Sequence, residues 1–200
     1  YLICFRNLPV AIGITAGARE YLAADICLKY MKEAVSEPCK EEQLEVAEKA
    51  LRAKLNSLSL VQPEGTFRTA RKEAAKLFDR KILFTENPRK IESAVFTKDG
   101  HRVKIEAVIN GEQKTLYAGY KVWKRNDLYP DDHTKRYQNV AYAMDAEALY
   151  LSVGLINTSY KEEYCLWVNS QDKVIATWHP NVTYLPEEPD MIWKFTGTFE

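Results

Sequence analysis

The stretch EALYLSVGLINTSYKEEYCLWVNSQDKVIATW, residues 147–178, decides the fold class. Apolar side chains stand at every second position through Leu149, Leu151, Val153 and Leu155, and again through Leu166 and Val168, with polar turns at 157–163 and 169–173. A period of two puts alternate side chains on one face of a strand, so this segment predicts an antiparallel ribbon with Leu151 and Val153 buried on its inner face.

The same period runs outward in both directions. KIESAVFT (90–97), HRVKIEAVIN (101–110) and EQKTLYAGYKVWKR (112–125) alternate in the same way, and they are joined by Asp99-Gly100 and Asn110-Gly111. An N-G or D-G pair between alternating runs is a strong short-range signal for a hairpin. YQNVAYAM (137–144), ALYLSVGLIN (148–157), EYCLWVN (163–169), KVIATW (173–178) and DMIWKFTGTF (190–199) complete a predicted meander of eight strands. Eight antiparallel strands can close into a barrel that is either filled by side chains or holds one small ligand.

Before residue 88 the period is that of a helix. Leu22, Ile26 and Tyr30 share one stripe, and Leu44, Ala47, Leu51, Leu55 and Leu58 another. Thr66 is positioned to cap a third helix carrying Phe67, Ala70, Ala74, Leu77 and Phe78. The predicted fold is α+β in a single domain over 1–200. A helical layer of about three helices (16–80) precedes and covers an antiparallel barrel or strongly curved sheet (90–200).

Lys plus Arg and Asp plus Glu each number 28, so there is no net field to favour nucleic acid or an anionic membrane. No apolar run approaches the roughly 20 residues of a membrane-spanning helix. The sequence opens on Tyr1 rather than Met, and Asn157-Thr158-Ser159 and Asn181-Val182-Thr183 match the glycosylation acceptor pattern in predicted turns. Both features lead to the expectation of a secreted, extracellular chain. Cys4, Cys27, Cys39 and Cys165 lack the CxxC spacing of a zinc site, and in an oxidising compartment they would form disulfides. Cys27 with Cys39 is the expected pair across a helical hairpin, which leaves Cys4 with Cys165.

The run EYCLWVNSQDKV, residues 163–174, resembles the late strand of secreted arthropod lipocalins of the tick salivary type. There a cysteine, a leucine and a tryptophan-valine pair sit close together, as Cys165, Leu166, Trp167 and Val168 do here. The resemblance implies a lipocalin-like, ligand-holding barrel and capture of a host mediator.

No sequence motif nominates a catalytic centre. There is no Gly-x-Ser-x-Gly elbow, and Gly13-x-x-x-Gly17 lacks the lysine of a phosphate loop, so no cofactor is expected. Asp131-Asp132-His133 reads as a solvated turn rather than a metal site. His101 and His179 adjoin turns, and the basic residues Lys121, Lys124, Arg125, Lys135 and Arg136 are interleaved with acids. All four tryptophans lie in the β half. Trp123, Trp167, Tyr117 and Tyr142 are the candidate lining of a pocket for a small apolar or amphipathic ligand. The expected function is therefore a secreted, non-enzymatic binding protein. Two alternatives remain: an interaction protein, inhibitor or assembly subunit with a filled barrel, and an enzyme on a helix-plus-curved-sheet cone.

Overall fold

The computed structural model describes residues 2–4, 11–13, 22–36, 41–58, 62–63, 73–127, 138–156, 160–181 and 192–200. The chain divides into two compact units, Tyr1–Val61 and Gln62–Glu200.

In the first unit, β1 (Leu2–Cys4) pairs antiparallel with β2 (Ala11–Gly13), a short ribbon that the sequence reading missed. Two helices follow, α1 (Leu22–Ser36) and α2 (Glu41–Asn56), close to where the apolar stripes place them. On α2 the Arg52 Nη2 to Glu48 Oε1 ion pair, 2.6 Å across one turn, adds the local support usual for such spacing. The stripe itself stays largely in solvent: Leu44, Leu51, Leu55 and Leu58 are each more than half exposed.

The second unit opens with a correction. The expected third helix falls partly on residues 64–72, outside the described residues. Its C-terminal part is a single 3-10 turn, Ala74–Leu77, which leads straight into a strand. That strand, β3 (Lys81–Phe84), lies between the expected helical layer and the first expected strand, where four residues are too few to show a period of two. The remaining strands are β4 (Ile91–Asp99), β5 (Arg102–Ile109), β6 (Glu112–Tyr120), β7 (Lys124–Asn126), β8 (Gln138–Met144), β9 (Ala148–Leu155), β10 (Lys161–Val168), β11 (Val174–Pro180) and β12 (Trp193–Phe199). Asn110 and Gly111 both have positive φ, 51° and 76°, as the predicted Asn-Gly turn requires.

The sheet runs β6-β5-β4-β3-β12-β11-β10-β9-β8-β7, and β6 also pairs with β8. That last pairing closes a ring and leaves β7 outside it, so ten described strands minus one give a barrel of nine instead of the eight expected. Strand direction cannot alternate all the way round an odd ring, and at least one neighbouring pair must be parallel. The pair is β6–β8, through Gly119↔Ala141 and Tyr120↔Tyr142. Every other pairing is antiparallel.

The predicted run 112–125 is broken to make this seam. Lys121 takes φ 48°, and its N–H donates to the Tyr142 carbonyl at 2.9 Å. Gly119 sits inside the corner, where an added Cβ would overlap the carbonyl oxygen of Val122. Gly119→Ala is expected to cost about 1–3 kcal/mol through this overlap. An unchanged midpoint in denaturant unfolding would show that the corner gives way freely.

The barrel interior is filled at one end and hollow at the other. At the end carrying the β4–β5 and β10–β11 turns, Ile82, Val103, Ala118, Tyr142, Met144, Leu149, Val168 and Val174 are buried together. Ala74, Leu77 and Phe78 of the 3-10 segment join the same cluster. Phe78 forms an isolated bridge with Phe96, and the 3-10 turn packs on β9 and β10, so this segment stoppers the filled end. Leu151 and Val153 are buried, as the alternation of residues 147–155 predicts.

Candidate functional site

The other end of the barrel encloses a cavity of about 270 Å³. Its wall is built by period-two alternation on all nine ring strands. Phe96, Ile105, Leu116, Leu151, Leu166 and Phe195 are among the deeper apolar residues, with Val140 and Val153 nearer the mouth. An apolar cavity of about 150 Å³ stays dry and takes benzene. On that scale the present cavity takes a molecule about twice as large.

Polar groups gather at the mouth, where the β3–β4 and β5–β6 turns meet the starts of β8 and β10. Asn110, Glu112, Lys114 and Gln138 line it, together with Arg89 and Glu162. Arg89 is set by its turn, which Asn87 stabilises: its side-chain nitrogen donates to the carbonyls of Thr85 and Ile91 at 2.9 and 2.7 Å. Arg89 Nη2 lies 3.2 Å from Glu162 Oε1, and the Tyr164 hydroxyl donates to Glu162 Oε2 at 2.8 Å. Glu162 is only 8% exposed, whereas Arg89, its side chain 40% exposed, reaches it from the rim. Burial works against the Arg89 charge, but Tyr164 and Glu162 outweigh it and raise the guanidinium above its ordinary value. Burial, with the Glu162 charge beside it, pushes the Tyr164 phenol far upward, so it remains a donor. Lys114 pairs with Glu112 at 2.6 Å.

Trp178 stands directly opposite Tyr164 in the β10–β11 register, on the face that Ala176 presents to the cavity. The Arg89 guanidinium carbon lies 5.8 Å from its ring centre. Among the described residues the buried indole Nε1–H has no acceptor.

None of the four aromatic residues expected to line the pocket does so. Tyr117 and Trp167 lie on the outward parity of β6 and β10, where Arg102 covers Tyr117 at 4.6 Å and Lys194 lies 5.8 Å from Trp167. Tyr142 does face inward but belongs to the filled end, tilted against Tyr120 at 5.6 Å. Trp123 lies in the corner between β6 and β7. The wall is mostly aliphatic instead, with Phe84, Phe96, Phe195 and Tyr164 as its aromatic members. Alternation identifies two faces without labelling the inner one, and depth along the barrel is set by a closure that no local pattern records. Arg89 could have drawn notice only through its place just after Asn87-Pro88, where the helical period gives way to that of strands.

A second hollow lies on the outer face of β9, β10 and β11, bordered by two cross-strand rows, Tyr150–Cys165–Thr177 and Ser152–Glu163–His179. Tyr150 donates to Asp145 at 2.7 Å, a bond that, with burial, raises the phenol strongly. Burial alone would raise Asp145, but hydrogen bonds from Tyr150 and from the Glu147 and Ala148 amides hold it below its usual range. Burial pushes the Cys165 thiol up to about 11, which keeps it protonated and poorly nucleophilic. Cys4, Cys27 and Cys165 are free thiols, so the expected Cys4–Cys165 bond is not formed; Cys39 lies outside the described residues. Asn181 is exposed, and its side-chain oxygen accepts from the Lys161 amide at 2.8 Å. Asn157 and the Asp131-Asp132-His133 turn also lie outside the described residues.

Fold and site define a closed β-barrel with an internal apolar cavity and a polar mouth. Among the described residues, no helix is long and apolar enough to cross a membrane. The chain matches no family model and no curated protein. Solved structures do resemble it. Apo lipid binding protein 8 of Caenorhabditis elegans is 10% identical with a TM-score of 0.47, over 63% of this chain and 96% of that one. The REP1-NXSQ fatty acid transporter is 12% identical with a TM-score of 0.46, over 64% of this chain and 98% of that one. The fatty-acid-binding protein of Manduca sexta is 11% identical with a TM-score of 0.39, over 54% of this chain and 73% of that one.

Proposed function

We propose that the chain is a non-enzymatic binding protein that holds a small amphipathic ligand inside the barrel, with its apolar part in the cavity and its polar end at the mouth. The observation that carries this reading is the division of the interior. One half is packed solid and stoppered by Ala74–Leu77, while the other leaves about 270 Å³ walled by aliphatic side chains below a ring of polar ones. Close packing is the default of protein interiors, and an apolar void forfeits contacts that a ligand would restore. The buried carboxylate at the mouth is engaged by Arg89 and Tyr164 rather than poised as a base, which supports a carrier over an enzyme. Secretion belongs to the proposal on the strength of the two glycosylation triplets.

Thermal unfolding in the presence of medium-chain amphiphiles tests the reading. A ligand at about a hundredfold excess over its Kd is expected to stabilise the fold by about 2.7 kcal/mol and to raise Tm with concentration. A series of such compounds that leaves Tm unmoved would overturn it. A second reading, contact with another protein through the first unit, is favoured by the exposed leucines of α2.

A further inference from the structure

The polar mouth carries information about the ligand's head group. Four charged side chains line the cavity, Arg89 and Lys114 against Glu112 and Glu162, and they cancel. The cancellation is also local, since each cation already has a carboxylate within 3.2 Å. Glu162 is the member that cannot readily be released. It is 8% exposed and takes Arg89 on one oxygen and the Tyr164 hydroxyl on the other. A ligand carboxylate seeking Arg89 would strand that buried charge, and a buried carboxylate left without its counterion is unfavourable. A ligand carboxylate that left the pair intact would have to compete with Glu112 for Lys114 while lying near the buried Glu162 charge.

An uncharged oxygen meets neither obstacle. A donor in need of an acceptor stands next to the cavity wall: Trp178, not itself a lining residue, lies opposite the lining Tyr164, and among the described residues its buried Nε1–H is bonded to nothing. A buried donor left unsatisfied is costly, so a hydroxyl, ester or amide oxygen placed there gains more than an ordinary hydrogen bond would supply. The side-chain amides of Asn110 and Gln138 on the same rim add donors and acceptors without adding charge.

We propose that the barrel selects amphiphiles whose head is an uncharged oxygen function, an alcohol, ester or amide, and discriminates against the matching carboxylates, with the Arg89–Glu162–Tyr164 network as the discriminating element and Trp178 as a head-group donor. The proposal rests on the cavity reading above.

The test compares octanol, methyl octanoate and octanoate on the full chain, by calorimetry and tryptophan emission. At neutral pH the alcohol and the ester are expected to bind at least about tenfold more tightly than octanoate. Glu162→Gln frees the Arg89 charge and should improve octanoate binding by about tenfold relative to octanol, a change that ligand partitioning cannot produce because the ligands are the same. Trp178→Phe should weaken octanol several-fold. Should Glu162→Gln fail to fold, the unmodified chain still decides. Lowering the pH toward the ligand's own pKa should strengthen octanoate binding and leave octanol binding flat. Octanoate binding as tightly as octanol at neutral pH, or a ratio unmoved by Glu162→Gln in a folded variant, overturns the head-group preference while leaving the cavity reading intact. Failure of all three compounds to bind overturns both.

Discussion

Leu149→Ala is expected to destabilise the barrel by about 2–5 kcal/mol, and Leu151→Ala, two residues further along the same strand, by distinctly less. Both side chains point inward from β9. Leu149 is fully buried in the filled end, opposite Met144 on β8 and Leu166 on β10. Its truncation loses the full set of packing contacts and opens a new void. Leu151 is 7% exposed, lies between Tyr142 and Tyr164, and borders the existing cavity. One side of Leu151 already faces empty space, so fewer contacts are lost on truncation. Denaturant unfolding of both variants, with m unchanged, measures the difference. The reverse order would mean that the filled and hollow ends have been exchanged.

Filling the cavity from within should abolish ligand binding. Ala107 lies inside β5, 5% exposed, between Ala94 on β4 and Lys114 on β6, with its Cβ in the cavity wall. Ala107→Phe would project a ring into the hollow and leave the filled end untouched. Affinity for an amphiphile bound in the lumen should fall by at least about a hundredfold, which corresponds to about 2.8 kcal/mol. Overpacking usually costs about 1–3 kcal/mol, but here the ring enters space already vacant, so cooperative unfolding should persist with little loss. Calorimetric titration beside a thermal melt separates the two effects. A variant that folds and still binds at the original affinity would place the ligand outside the barrel.

Local chemistry in the chain determined a good deal of this. The period-two runs after residue 90 mark strands because each strand buries one face. The Asn110-Gly111 turn is legible because only certain residues tolerate positive φ in a tight hairpin. Leu151 and Val153 read as buried from alternation alone, and the two helices follow from stripes at three- and four-residue steps. The strand count did not follow. β3 carries too few residues to show a period, and without it the meander numbers eight and closes without a parallel pair. The seam at Gly119↔Ala141 depends on ring parity, a property of the closed object that no segment contains.

The site was the least legible part, for a related reason. Tyr117 and Trp167 have the composition of pocket residues, but their parity points them outward, while Tyr142 points inward at a depth where packing leaves no room. The residues that do form the mouth, Arg89 in a turn, Lys114 on β6, Gln138 on β8 and Glu162 on β10, are far apart in sequence and individually unremarkable. By itself the sequence determined which segments are strands and helices and where the tightest turn falls, because those follow from short-range sterics and from the spacing of apolar side chains. Only the tertiary structure decided that nine strands close, which end is filled, and that Arg89 pairs with the buried Glu162, because closure sets which faces become interior and which distant residues meet there.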